Sequence, residues 1–344
     1  KNYFKVTLTV ENVGGAEARN VVVQDFLRSF QPIPGYTYFA NVGASFTPSP
    51  MYGDAVITSP INFAPQATAT YEYIAVPVLV APNPPTPSIG DSVKLWYEGS
   101  DGAEYSEEVK SPVVKTTDGE TIPAAYLNAI KSADYLLVTN PQRLFWYYGS
   151  VDTDALLCSM ANLARYKSGV LGYLDVYDNN AFRNLIKQGG DWSSKLANGW
   201  DSNGYLLIVG ETEIVPSWVR EVATILTNHG DKTWKPLTDY PYASTYGDDL
   251  KPELSMGRII GNDARELRKL IETSLNVYLQ TTGYGFDWSH MLLASGYPCG
   301  MGGGSDCMDF KGQVNTVSSE LSKSNPSGVQ SKIHTPDYTQ YSPK

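Results

Sequence analysis

The chain has 344 residues, 42% hydrophobic and 18% charged, a globular composition with room for about two cores. Its net charge of -10, with Lys and Arg scattered and in no basic run, excludes a nucleic-acid footprint. No apolar run reaches the ~18–20 residues that a membrane helix requires. Lys1-Asn2-Tyr3-Phe4 opens without Met or a leader, as expected of a mature or cut form.

The first ~115 residues have the pattern of an all-β region. Lys5–Val10 alternates strictly, Asn12-Val13-Gly14-Gly15 turns the chain, and Val21–Val23 predicts a second strand. Asp54–Ile57, Ala67–Ile74 and Val93–Tyr97 follow as short strands between turn clusters, a spacing that predicts a β-sandwich. Pro82–Pro87 is a stiff loop inside this region, and the boundary is expected at 115–123. Val10–Ala16 together with Val23-Gln24-Asp25 resembles the immunoglobulin-like repeats of bacterial and archaeal surface proteins. That resemblance implies a spacer or adhesive module.

From about 124 strands alternate with helices, which predicts an α/β parallel sheet. Asp134–Thr139, Val170–Leu174 and Tyr205–Val209 are apolar runs of buried-strand type. Between them, Asp152 or Asp154 is expected to cap a helix with Leu156, Met160, Leu163 and Ala164 on one face. Asn180 is expected to cap another carrying Phe182, Leu185 and Ile186. Asn262 is expected to cap an amphipathic helix, with Asp263 and Glu266 in its first turn. Its apolar face is Ala264, Leu267, Leu270, Ile271, Leu275 and Tyr278. Met291–Ala294 predicts a strand, Phe310, Val314, Val317 and Leu321 a helix, and Gln330–His334 one more strand.

Three cysteines and three histidines are the candidates for nucleophilic chemistry. Cys158 lies in a helical pattern and is expected to be a buried, inert thiol. Cys299 and Cys307 bracket the loop Gly300–Asp306, so they are either a disulfide or two loop thiols. His229-Gly230 and Cys299 each follow an apolar run, which makes them an in-chain dyad candidate against the plainer reading of loop residues. His290 and His334 are expected to be ordinary strand-end histidines. Asp239, Asp248 and Asp249 could supply oxygens to a structural calcium ion, or simply cap turns. Arg258 is expected to pair with one of these acids and join two subdomains. The Gly300–Gly304 loop lacks the Gly-Lys-Ser/Thr ending of a phosphate-binding loop.

One ordered series stands out: Gly210, Ile214-Val215-Pro216, Asp239, Tyr246-Gly247, Asp248, Met256-Gly257-Arg258 and Glu266-Leu267. It resembles the gingipain family of cysteine peptidases, within the caspase-like group, over roughly 125–344. This resemblance implies 124–260 as a first α/β subdomain and 261–344 as the incomplete start of a second, after the immunoglobulin-like sandwich expected over residues 1–118. In that family the second subdomain delivers a His-Gly and later an Ala-Cys, so the catalytic dyad is expected beyond Lys344 and the chain alone is expected to be inactive. Cysteine thiolate would attack a peptide carbonyl, with histidine protonating the leaving amine. The expected partners are polypeptide substrates, no cofactor is required, and an extracellular or cell-surface location is implied. The competing expectation is a pseudo-peptidase or a non-catalytic module for surface binding or assembly.

Overall fold

The computed structural model describes residues 2–33, 44–46, 55–58, 60–82, 84–110, 115–188, 204–219, 222–227, 230–234, 237–244, 252–279, 290–295, 315–316, 318–319, 323 and 329–334. The chain forms two compact units, Lys1–Leu275 and Asn276–Lys344. In order, β1 (Phe4–Glu11), β2 (Ala18–Arg28), β3 (Phe30–Ile33), β4 (Ala44–Phe46), β5 (Ala55–Thr58), β6 (Ile61–Phe63), β7 (Thr68–Ala81), β8 (Ser88–Glu98) and β9 (Glu104–Lys110) precede the first helix. Then come α1 (Ile122–Ser132), β10 (Tyr135–Thr139), α2 (Pro141–Tyr148), α3 (Ser150–Tyr166), β11 (Gly169–Leu174), α4 (Asn179–Gln188) and β12 (Tyr205–Val209). The remainder is β13 (Trp218–Val219), β14 (Val222–Thr227), β15 (Gly230–Trp234), β16 (Leu237–Thr238), α5 (Tyr240–Ala243), β17 (Ser255–Ile259), α6 (Ala264–Tyr278), β18 (His290–Ser295) and β19 (Val329–His334).

The N-terminal region is rich in strands, but its sheet does not end at 115–123. The main sheet runs β1-β7-β11-β10-β12-β17, with β3 also on β7. The start of β7 pairs antiparallel with β1, and its end, Val78–Ala81, pairs parallel with Leu171–Leu174 of β11. β10, β11, β12 and β17 are mutually parallel. β7 therefore runs past the expected end at Ile74. Its last stretch, Val76-Pro77-Val78-Leu79-Val80-Ala81, is apolar on both faces, as a strand covered on both sides must be. The prolines concealed it: Pro32 and Pro77 lie within the β3–β7 pair, where a strand is not expected from sequence.

Buried polar contacts fasten the early strands to the α/β elements of the main sheet. Tyr173 OH donates to Gln31 Oε1 (2.8 Å) and Tyr126 OH to the Val78 carbonyl (2.9 Å). Asn2 Nδ2 donates to the Ser168 carbonyl (2.6 Å), and its Oδ1 accepts from Ser132 Oγ (2.7 Å). The second sheet, β4-β5-β2-β8-β9 with β6 on β2, faces a smaller core of Val21, Val23, Phe63 and Tyr71.

The helices bury the expected faces, with revised caps. Leu156, Met160, Leu163 and Ala164 of α3 are at most 1% exposed, each large one worth about 1.5–3 kcal/mol of burial. α3 begins at Ser150 after Gly149, so Asp152 sits in its first turn rather than capping it. For α4, Asp178 Oδ1 accepts from Asn180 N (2.6 Å), making Asp178 the capping side chain in place of Asn180. For α6 the cap is Asp263, whose Oδ1 accepts from Arg265 N (2.8 Å) and Glu266 N (2.9 Å), while Glu266 reaches back to Asn262 N (2.9 Å). Leu270 and Tyr278 lie outside the buried stripe of Ala264, Leu267, Ile271 and Leu275.

Within the second unit, β18 and β19 pair in parallel. Residues 315–316, 318–319 and 323 are helical, and the four apolar positions expected for that helix lie outside the described residues.

Candidate functional site

Parallel strands bring their carboxyl ends to one edge, where the loops leaving them converge and ligands gather in open α/β sheets. Thr139 ends β10 and donates from Oγ1 to the Val209 carbonyl at the end of β12 (2.8 Å), tying two strand ends together. Asn140 then caps α2, accepting from Arg143 N (3.0 Å), with Pro141 next, where a missing N–H costs nothing. Asn140 Nδ2 donates to the Val176 carbonyl (3.1 Å), securing the loop after β11.

Gly210 turns the chain out of β12 with φ at 112°. A Cβ there would lie 2.7 Å from Ile214 Cβ, so the tight turn requires glycine. Its N–H donates to the Ile259 carbonyl (2.9 Å), extending the sheet one step past the strand, and Ile214 and Val215 are fully buried behind it.

Arg258, near the end of β17, holds this edge together. Its Nε donates to Asp239 Oδ2 (2.7 Å) and Nη2 to Asp239 Oδ1 (2.6 Å), a forked pair. Nη1 donates to the carbonyls of Gly210 (2.8 Å) and Val215 (3.0 Å), and Nη2 also to Ser217 Oγ (3.2 Å). Five N–H donors meet five contacts, which lysine could not reproduce. Ser217 Oγ also donates to Asp239 Oδ1 (3.0 Å). Both partners of the pair lie in the first unit, so it braces the strand ends there. Tyr242 OH donates to the Pro216 carbonyl (2.6 Å), and its ring packs 4.0 Å from Phe182. Burial raises the Tyr242 hydroxyl far above its ordinary range, so it acts only as a donor.

A second arginine lies in the same loops. Arg143 donates from Nε to the Glu213 carbonyl and lies 4.1 Å over the Tyr177 ring. Tyr177 OH donates to the Thr212 carbonyl (2.5 Å). Trp146 beside it is 74% exposed. Sequence reading passed over Arg143, Ser217 and Tyr177; the Asn140-Pro141 pair was the one signal available.

Of the residues singled out from sequence, the structure brings together Gly210, Asp239 and Arg258. Both oxygens of Asp239 accept from the Arg258 guanidinium. Asp248, Asp249, His229, Cys299 and Cys307 lie outside the described residues. His290 pairs with Val329 and His334 with Ser295, so the two histidines stand at opposite ends of the β18–β19 pair. Cys158, on α3, is half-buried with no disulfide; burial and then the Asp154 carboxylate push its thiol up to about 12. That thiol is the opposite of an activated nucleophile. Among the described residues the strand-end cluster contains neither cysteine nor histidine.

The family model for peptidase family C25 matches residues 131–344. The chain belongs to this family. The match takes in Gly210, Asp239 and Arg258, and starts after β7, so this C25 chain draws the flank of its main sheet from residues ahead of the matched span. No curated protein matches it in sequence. Similar solved structures include one described as "Structure of Protease", at 19% identity over 47% of this chain and 32% of that one, TM-score 0.33. Another is the Arg-specific cysteine proteinase gingipain R, at 14% identity over 60% and 42%, TM-score 0.33. A third is the complex of Porphyromonas gingivalis RgpB pro- and mature domains, at 15% identity over 60% and 42%, TM-score 0.33. The chain thus spans less than half the length of each of these three structures.

Proposed function

We propose that the protein is a cysteine peptidase that hydrolyses peptide bonds of polypeptides. The observation that carries this is the family match over 131–344. The described strand ends supply rigidity: Arg258, Asp239 and Gly210 hold the loops on which a peptide-binding cleft is mounted. The nucleophilic cysteine and its histidine belong to sequence following residue 344, first a His-Gly strand end and then a cysteine. The order of the motifs supports this: in the series the His-Gly and the cysteine come after a strand–helix–strand unit, which Met291–Ala294, Phe310–Leu321 and Gln330–His334 match in sequence. The location is extracellular or at a cell surface. No helix among the described residues is long and apolar enough to cross a membrane.

The test uses the whole reading frame. A thiol-directed peptide probe is expected to label the full-length protein and to leave its cysteine-to-alanine variant and the 344-residue chain unlabelled. No labelling of the full-length protein, or labelling that persists in the variant, refutes the proposal.

A further inference from the structure

The small core of the N-terminal region is only partly covered by the described residues. Four residues there are fully buried, while nine apolar neighbours, among them Leu8, Val10, Val93, Leu95 and Tyr97, remain partly open. They floor a cleft of about 780 Å³. One wall is β9, exposed at every one of its 7 residues, with Tyr105, Glu107 and Val109 turned to the cleft. Among the described residues β9 pairs with β8 alone and ends its sheet. An end strand presents a row of main-chain donors and acceptors, which is a template for one more strand.

The charge of the cleft selects the occupant. Glu11, Glu17, Asp101 and Glu107 line it, and no Lys or Arg does among the described residues. Arg19 offsets Glu17 from outside the lining (2.8 Å). A second copy paired antiparallel about the middle of β9 would set Glu107 against Glu107 on the cleft face, which like-charge repulsion opposes, while Glu104 would meet Lys110 on the other face. We infer that this cleft accepts an extended polypeptide segment of a partner, added as a strand along β9, whose cleft-facing side chains run apolar, Lys or Arg, apolar. Side chains of an added strand share a face with every second residue of β9, so the cation would stand beside Glu107 and the apolar residues beside Tyr105 and Val109. The inference is independent of the peptidase reading.

The probe is a seven-residue peptide with lysine fourth, valine second and sixth and threonine at the outward positions, matched to the length of β9 and titrated calorimetrically into the full chain at low salt. Saturable binding is expected, with new hydrogen-exchange protection of amides across Glu104–Lys110. Glu107→Lys is expected to weaken it at least tenfold. Glu104→Lys, on the opposite face of the same strand, is expected to change it less than twofold. Equal urea midpoints for both variants and the parent exclude unfolding as the cause. The inference is overturned if the same peptide with glutamate in place of its lysine binds as well, if neither peptide binds at millimolar concentration, or if Glu104→Lys weakens binding as much as Glu107→Lys. It is also overturned if sedimentation shows a dimer whose β9 amides are already protected, since a second copy would then be the occupant.

Discussion

Replacing Arg258 with Met removes five hydrogen bonds at once and leaves Asp239 facing Ser217 without its cation. The side chains of the pair are 12% and 16% exposed, so water reaches them poorly. Breaking a buried ion pair by deleting one partner costs about 3–5 kcal/mol. Residual exposure places this pair at the lower end, while the orphaned Gly210 and Val215 carbonyls add on the order of 1 kcal/mol. A loss of about 3–4 kcal/mol is therefore expected. With a urea slope of about 3 kcal/mol per molar, the midpoint falls by about 1 M. Arg258→Lys keeps the charge but loses the fork, and should lose about half as much. The decisive comparison is Arg258→Met with Asp239→Leu in one chain, since removing both charges removes the uncompensated one. That double variant should recover at least half of the single variant's loss. A single-variant loss below about 1 kcal/mol, or a double-variant loss equal to the sum of the singles, would refute the claim that the pair braces the strand ends.

Three other sites give further expected outcomes. Asp25 is fully buried, accepting from Tyr73 OH and from Gly90 N (3.0 Å), and burial raises its carboxyl from 3.8 to about 6. The folded chain therefore binds a proton more tightly than the unfolded chain, and stability falls as pH rises from about 4 to about 6, by about 3 kcal/mol at most. Asp25→Asn should flatten that slope, as read from urea midpoints at pH 4.5 and 7; an unchanged slope assigns the effect elsewhere. Gly210→Ala combines backbone strain at φ 112° with a 2.7 Å approach to Ile214 Cβ, and should cost about 3 kcal/mol by the same assay. Adding Ile214→Ala keeps that Cβ contact and the strain, so it should recover only the part due to Cγ2 at 2.8 Å. Cys158, its thiol pushed up to about 12, should resist iodoacetamide at pH 8 in the folded chain and react once urea unfolds it, as followed by peptide mass.

The sequence by itself determined the local grammar. Alternation at 5–10, the apolar runs at 136–138, 170–174 and 206–209, and the buried faces of α3 and α4 follow from periodicities that any packed strand or helix must obey. It also contained the ordered motifs around Gly210 and Arg258 that carry the family. Boundaries and caps were less legible, because Asp263 and Asn262, or Asp178 and Asn180, are equally good capping chemistry until φ and ψ select one. The tertiary structure alone decided that β7 continues through Pro77 into a parallel pair with β11, since strand pairing between residues 78–81 and 171–174 leaves no periodic trace in either segment. It alone decided that Arg258 takes Asp239 and that, among the described residues, β9 pairs with β8 alone. Each of these depends on which distant segments meet, and a sequence pattern records only what each segment would bury.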